Sequence, residues 1–513
     1  MNGGWLEPLP DAERMRATDA WAIEERGVPS LDLMERAGEG LARVIAEQVP
    51  SGRVAVVCGK GNNGGDGLVA ARVLRGAGRE VSVLTLWSPD AFSGDAEAQL
   101  GRLPGPAPEP YAAGALDGAA GVVDAVLGTG ATGAPRDAVA DVIAAINAAS
   151  GRTIAADVPS GVDTSTGEVA GLAVRAAATA TFHRAKPGLW IAPGKAHAGR
   201  LHVLDIGIPG DPPGEAGAGL IGPGVLADVP RRGTDATKFS SGAVVILGGA
   251  AGLTGAPCLS GLAAARAGAG YVTVAAPASV QATLSMHLLE VMTAALPEDD
   301  GMLGPRSVEA ALAAIARADA VVLGPGLGRA EGAQALAGEL VERIDVPLVI
   351  DADGLNALAG RLELVRRRRW PTILTPHAGE LARLLETDSA AVGAARLEHA
   401  CRAAEAANAV VVLKGDDTLV ALPRRREKQV GPAWHIAVSP GGAPALATAG
   451  TGDVLSGVTA AMLAKGLAPA HAACAAVYAH LRAGQLAAAP HGPDGVIASD
   501  VIASLPAALV AAV

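Results

Sequence analysis

At 513 residues the chain is too long for one ordinary core, and its alanine-rich hydrophobic half with only 2% aromatics suits helices packed closely on sheets, not an aromatic β-sandwich. A net charge of −11 excludes a general nucleic-acid binder, so the short runs Arg366–Arg369 and Arg424–Arg426 read as solvated loops or helix ends. Cys58, Cys258, Cys401 and Cys474 lie far apart, which excludes a disulfide framework or a Cys-based zinc site and suits a reducing cytosol. The opening residues, with Glu7 and Asp11, do not read as a signal peptide, and no run approaches the roughly 18 apolar residues of a membrane span.

The segment from Met15 to about Val49 reads as helical. Val54–Cys58, Val81–Leu86, Val122–Leu127, Thr153–Ala156 and Leu201–Ile206 then read as buried strands. Strands that are near-continuous in apolar residues belong to parallel sheets covered on both faces, so this half is an α/β layered domain. Pro209–Gly224 is almost all Gly, Pro, Ala and acid, a linker signal. Beyond it a second α/β series begins, with strands at Ala243–Leu247, Tyr271–Ala275, Ala320–Leu323, Pro347–Ile350, Thr372–Leu374 and Val410–Leu413 and a helix from Gly452 to Gly466. Two domains are expected, residues 1–215 and 222–513.

After Val54–Cys58 comes the run Gly59-Lys60-Gly61-Asn62-Asn63-Gly64-Gly65-Asp66-Gly67, with a helix expected from Leu68. Such a turn lets the backbone pass close to a ligand and offers helix N–H groups to a phosphate. Gly59–Gly64 and Gly128–Gly133 both match GxGxxG, but Val81–Leu86 runs into Trp87-Ser88-Pro89 without the ribose-binding acid, which speaks against a standard NAD pose. Tight βα turns alone would explain the glycines, though not Asn62, Asn63 and Asp66 among them. Asp157 opens a third turn, Asp157-Val158-Pro159-Ser160-Gly161, where it serves either catalysis or a helix N-cap. Asn63, Asp124 and Ser160 offer oxygens of the kind that suit a hard alkali or alkaline-earth cation.

These turns resemble the YjeF N-terminal family of NAD(P)H-hydrate epimerases over about residues 11–210. The likeness rests on Gly59–Gly67, Asp124–Gly128, Asp157–Thr164, Thr181–Gly188 and Leu33-Met34-Glu35-Arg36-Ala37-Gly38. The resemblance implies a Rossmann-like three-layer domain. It assigns substrate contacts to Asn62, Asn63, Gly64, Gly65, Asp66, Gly128, Thr129, Gly130, Ala131, Thr132, Gly133, Ala134 and Asp157. Asp157 and Lys186 would be catalytic, and potassium would go to Asn63, Asp124 and Ser160.

In the second half, Gly450-Thr451-Gly452-Asp453 opens an apolar helix. Its glycines leave amides free for an anion, and Asp453 can take the proton of a hydroxyl aimed at a phosphoryl group. A helix cap with close-packing glycines is the plain alternative, and no GxxxxGK[ST] loop occurs. Gly324-Pro325-Gly326-Leu327-Gly328, Asp351-Ala352-Asp353, Thr375-Pro376-His377-Ala378-Gly379-Glu380 and Lys414-Gly415-Asp416-Asp417-Thr418 each follow a strand. With Gly248-Gly249 and Gly255-Ala256, these pieces resemble the ribokinase-like NAD(P)H-hydrate dehydratases over about 225–510, implying a ribokinase-like α/β/α domain.

By position, Ala256, Gly326, His377 and Asp453 would meet the hydrated nicotinamide nucleotide. Lys414, Gly415, Asp416, Asp417, Thr418 and Gly452 would meet the adenine nucleotide. ADP is the expected phosphoryl donor, with ATP the alternative, and Mg2+ the accompanying ion. Asp351 and Asp353 read equally as magnesium ligands or N-caps. Ala443, Leu446, the Lys238-Phe239-Ser240 opening and the insert Pro423–Gly431 depart from the family pattern without removing a catalytic group.

The function implied is epimerisation of R- and S-NAD(P)HX and ADP-dependent dehydration of the S form, with AMP and phosphate released. The partners are the small molecules NADHX or NADPHX and ADP, without nucleic acid or membrane, in a cytoplasmic enzyme expected to form a homo-oligomer. The alternative is a ribokinase-like kinase of a vitamin precursor with a non-catalytic N-terminal binding domain. YjeF N-terminal domains also serve as binding platforms in RNA-processing scaffolds, but Asn63, Asp157 and Lys186 are intact here.

Overall fold

The computed structural model describes residues 4–214, 217–424 and 434–510, so most of the insert Pro423–Gly431 and of the run Arg424–Arg426 lies outside the described residues. The chain divides into two compact units. One is Pro8–Gly219, and the other is Leu220–Val513 together with the first residues through Glu7.

In the first unit the run Val54-Ala55-Val56-Val57-Cys58 shows why three layers form. Val54, Val56 and Cys58 pack with Leu41 and Ile45 of the helix Ser30–Gln48, while Ala55 and Val57 pack with Val142, Ile143 and Ile146 of the helix Asp137–Ala148. Alternate side chains of an extended strand point to opposite faces, so a strand apolar at every position needs a helix on each side. The sheet has seven strands in the order Glu109–Pro110, Val81–Thr85, Val54–Cys58, Gly121–Ala125, Arg152–Ala156, Ala178–Phe182, Arg200–Leu204. All of its pairings are parallel.

Besides the unforeseen edge strand Glu109–Pro110, three features differ from the sequence reading. The opening helical segment is two helices, Ala12–Glu24 and Ser30–Gln48, broken at Gly27 (φ +70) and Pro29. Ala178–Phe182 is a fully buried strand whose Ala/Thr composition lacks the β-branched aliphatic signature. The third helix starts at Asn62, inside the glycine run, and not at Leu68. The glycines allow this early start by steric necessity: a Cβ on Gly64 would lie 1.7 Å from the Gly59 carbonyl oxygen, and one on Gly67 would lie 2.7 Å from the Ala125 Cβ.

The second unit holds an eleven-stranded sheet. Met292–Leu296, Tyr271–Pro277, Ala243–Leu247, Ala320–Leu323, Leu348–Ile350, Thr372–Leu374 and Val410–Leu413 run parallel in that order. Leu419–Ala421 and Ile436–Val438 then continue it antiparallel. The edge is completed by Ala218–Ile221 and, outermost, Leu6–Pro8.

The linker-like run Pro209–Gly224 therefore ends in a sheet strand, whose register is tied by the Gly222 N–H donating to the Trp5 carbonyl at 2.7 Å. The described residues through Glu7 accordingly group with the second unit. Trp5 packs edge-on against Trp434, ring centres 5.9 Å apart, and beside His471 at 5.2 Å. Helices Gly255–Arg266, Thr451–Ala464 and Pro469–His491 meet through alanine and glycine, and a Cβ on Gly457 would lie 2.1 Å from the Ser260 carbonyl. No described helix is long and apolar enough to cross a membrane, and the four cysteines are free thiols.

Candidate functional site

Both units place their polar turns at the carboxyl ends of parallel strands, where open α/β sheets bind ligands. In the first unit a cavity of about 180 Å³ is lined by Asn62, Asn63, Asp66, Gly128, Thr129, Asp157 and Lys186. Asp157 adopts φ +64, a conformation costly for a residue with a Cβ, and no helix follows that it caps. Its carboxylate Oδ1 instead accepts from the Thr181 hydroxyl and the Phe182 N–H, each at 3.2 Å, and from the Lys186 ammonium. Lys186 is fully buried and also donates to the Thr181 Oγ1 and the Phe182 carbonyl, both at 2.9 Å. The missed strand Ala178–Phe182 thus carries the groups that orient this couple.

Two further carboxyls share the cavity. Burial first, then the neighbouring Asp157 and Asp19, hold the Asp66 carboxyl well above the usual range. Burial lifts Asp19, on the first helix, to about 6 against the pull of Lys186. Sequence reading missed Asp19; the spacing Met15, Asp19, Ile23 along one helix face was its signal.

Beneath the turn, Asp124 is fully buried and accepts from the Ser160 N–H at 2.8 Å and the Ser160 hydroxyl at 2.6 Å. Burial raises its carboxyl to about 6, outweighing those hydrogen bonds. The Asn63 amide donates to the Leu127 carbonyl at 2.9 Å, and its own oxygen is buried with no partner. The rest of the predicted substrate set divides. Ala131, Thr132, Gly133 and Ala134 line a second cavity with Arg136 and Asp163, whereas Gly64 and Gly65 sit in backbone and Met34 contacts. Gly130 lines neither cavity.

In the second unit Gly450 takes φ +89 as the N-cap of the helix Thr451–Ala464. Thr451 ties the preceding turn by donating to the carbonyls of Leu446 at 2.8 Å and Thr448 at 2.9 Å. Gly452 leaves room for Lys414, whose ammonium would lie 3.3 Å from any Cβ there. A cation at the positive end of a helix is unfavourable, so it needs anions nearby. Asp351 accepts from it at 2.8 Å, and Glu380 stands at 3.6 Å. Burial alone would lower the Lys414 pKa; Asp351 and Glu380 outweigh it and raise the value. Burial, together with Asp351, lifts Asp453 to about 7.

Lys414, Gly415, Asp416, Thr418 and Gly452 line one cavity of about 260 Å³, with Ser439, Gly442 and Leu446. Asp417 does not line it; its buried carboxylate accepts from the Arg396 guanidinium at 2.8 Å. His377 is an N-cap, its Nδ1 accepting from the Gly379 N–H at 2.9 Å and its backbone N–H donating to the Glu380 carboxylate at 2.8 Å. The ring lies half-exposed, with its Nε2 3.5 Å from the Glu380 carboxylate. Gly326, at φ +65, meets the loop before the helix that carries Ala256: a Cβ there would lie 2.4 Å from the Leu253 carbonyl. Asp353 accepts from the Gly328 N–H at 3.0 Å and from Arg329, so it braces the glycine loop. Sequence reading missed Glu380, which the Thr-Pro-His-Ala-Gly-Glu turn signals only as a capping partner.

Fold and site together define a two-unit α/β enzyme, with a buried lysine–carboxylate couple in one unit and a helix-end aspartate beside a lysine in the other. The family of the YjeF-related protein N-terminus matches residues 30–188, and that of NAD(P)H-hydrate dehydratase matches residues 244–507. A bifunctional NAD(P)H-hydrate repair enzyme of Salinibacter ruber is 39% identical over 531 residues, spanning 97% of this chain and 95% of that one. Its counterpart in Moorella thermoacetica is 40% identical over 516 residues, spanning 97% and 96%. The chain belongs to the family of bifunctional NAD(P)H-hydrate repair enzymes. A crystal structure of an ADP/ATP-dependent NAD(P)H-hydrate dehydratase from Bacillus subtilis with ATP/Mg2+ is 30% identical, covering 56% of this chain and 95% of its own, with a TM-score of 0.46.

Proposed function

We propose that the first unit interconverts the R and S epimers of hydrated NAD(P)H and that the second dehydrates the S epimer with ADP, releasing AMP and phosphate. The observation that carries this reading is Asp453, a raised carboxyl at an anion-ready helix end beside Lys414, in the same chain as the Asp157–Lys186 couple.

In the second unit Asp453 takes the proton of the C6 hydroxyl as that oxygen attacks the terminal phosphoryl group of the nucleotide. Lys414 and the free amides of the helix start hold the phosphates, and the backbone around Thr418 and Gly442 holds the adenosine end. Phosphate is a better leaving group than hydroxide, so it departs from C6, a proton leaves C5 to solvent, and the C5–C6 double bond of the dihydronicotinamide returns. Mg2+ fits as a companion of the nucleotide's phosphates, because Asp353 is already engaged and Asp351 holds Lys414.

In the first unit Asp157 exchanges a proton with the oxygen at C6, and Lys186 holds its carboxylate in place. Potassium fits the orphaned Asn63 oxygen with Asp124 and Ser160, an all-oxygen donor set. When bound it supplies positive charge beside the substrate turn. The chain acts in the cytoplasm on small molecules.

The test is a coupled assay with NADHX and ADP, followed by NADH absorbance and AMP. Appearance of both supports the reading, and a stable phosphorylated product without NADH would return the second unit to a metabolic kinase.

A further inference from the structure

One wall of the first unit's cavity is a helix to which no role has been given. Met15, Asp19 and Ile23, four residues apart on Ala12–Glu24, set one helix face against the cavity. The strand-end turns bearing Asn62, Gly128 and Asp157 line it from the sheet. Among the described residues nothing donates a hydrogen bond to the Asp19 carboxylate, whereas Asp157 is held by Thr181, Phe182 and Lys186. Asp19 is thus a carboxylate at a cavity wall without a structural task. The charged groups around the cavity are Asp19, Asp66, Asp95, Asp157 and Lys186.

Epimerisation at C6 requires oxygen to leave from one face of the ring and arrive on the other. Asp157 is pinned at the sheet edge and serves one face, so inversion with it alone requires the ring to turn over in the cavity. We propose that Asp19 is the second acid–base group of the epimerase and serves the ring face that Asp157 does not. This rests on the epimerase reading of the first unit.

The step balances in atoms and charge. The C6–O bond breaks as one carboxyl gives its proton to the leaving hydroxyl, and the N1 lone pair forms the C6–N1 double bond. Water then attacks C6 from the opposite side, its proton passes to the other carboxylate, and the double bond returns its electrons to N1. One water leaves and one enters, and the proton has moved from one carboxyl to the other. Burial, with Lys186 opposing and Asp157 reinforcing, sets Asp19 at about 6, so both of its forms are populated near neutrality.

The test uses the full chain without ADP, so that dehydration is silent, and separates the epimers chromatographically. Asp19→Asn is expected to lower kcat by about 100-fold or more with KM within about threefold, and to remove a limb of the pH profile near 6. Asp19→Glu is expected to keep at least about a tenth of the activity. A purely structural role predicts equal losses in both variants with an unmoved pH profile, and that result overturns the proposal, as does a kcat for Asp19→Asn within about threefold of wild type.

Wild-type chain in oxygen-18 water should gain one solvent oxygen at C6 per epimerisation. Retention of the original oxygen overturns the proposal even if the variants fail to fold. A wild-type chain inert toward the R epimer removes the epimerase reading itself, whereas activity with an unaffected Asp19→Asn removes this inference alone.

Discussion

Replacing Asp453 with Asn should abolish dehydration and at the same time stabilise the second unit at alkaline pH. The carboxyl is raised from 3.8 to about 7 by burial and by the charge of Asp351. The folded chain therefore keeps a proton that the unfolded chain has released. The stability tied to that proton is fully present below pH 3.8 and is lost as pH rises through about 7. The full loss corresponds to about 4 kcal/mol. Half of that, about 2 kcal/mol, is expected, because the side chain is partly exposed and solvent screens it.

Asparagine keeps the shape and cannot ionise, so the variant escapes the loss. Thermal denaturation at pH 8 should show the second unit melting about 4–8 °C higher in the variant, with little difference at pH 4. NADH production from the S epimer and ADP should fall by at least about a hundredfold. Equal melting at pH 8, or a rate within about tenfold of wild type, would refute the argument that burial and Asp351 charge this aspartate for proton removal.

Asp157→Asn is expected to lose epimerisation while retaining dehydration of pure S epimer, with each reaction assayed separately; loss of both in folded protein would show that the two sites are not independent. Removing K+ should lower epimerase activity and the melting temperature of the first unit, and Asn63→Ala should make both insensitive to K+ over Na+, measured by titration of each salt at constant ionic strength. Gly64→Ala places a Cβ 1.7 Å from the Gly59 carbonyl oxygen, so the helix Asn62–Gly76 must shift. Soluble yield and melting temperature of the first unit should drop, by about 3 kcal/mol or more in stability, while the dehydratase is untouched.

The strands that sequence made visible were those dense in valine, isoleucine and leucine, such as Val54–Cys58 and Ala320–Leu323, because burial on both faces leaves no polar interruptions. Ala178–Phe182 escaped because alternating Ala and Thr carries little hydrophobic signal, yet its Thr181 and Phe182 orient Lys186 and Asp157. Leu6–Pro8 and Ala218–Ile221 escaped because three or four residues beside proline and glycine look like loop. Motifs located most of the polar groups that meet at the strand ends, since each lies directly after a strand. They did not distinguish Asp417, whose partner Arg396 is distant in sequence. Nor did they find Asp19, whose importance depends on a helix packing over the sheet.

The strand Leu6–Pro8 gives the chain an unusual itinerary. The polypeptide runs through the sheet of the second unit at Leu6–Pro8, leaves it to build the first over Pro8–Gly219, and returns beside that strand at Ala218–Ile221. The first unit is therefore an inserted body with paired entry and exit strands, not a bead threaded ahead of another. Recombination that exchanged the two activities as modules would need two breakpoints, flanking residues 8–219, and a single cut near residue 215 would leave the dehydratase without the border strand Leu6–Pro8 and the Trp5 that precedes it.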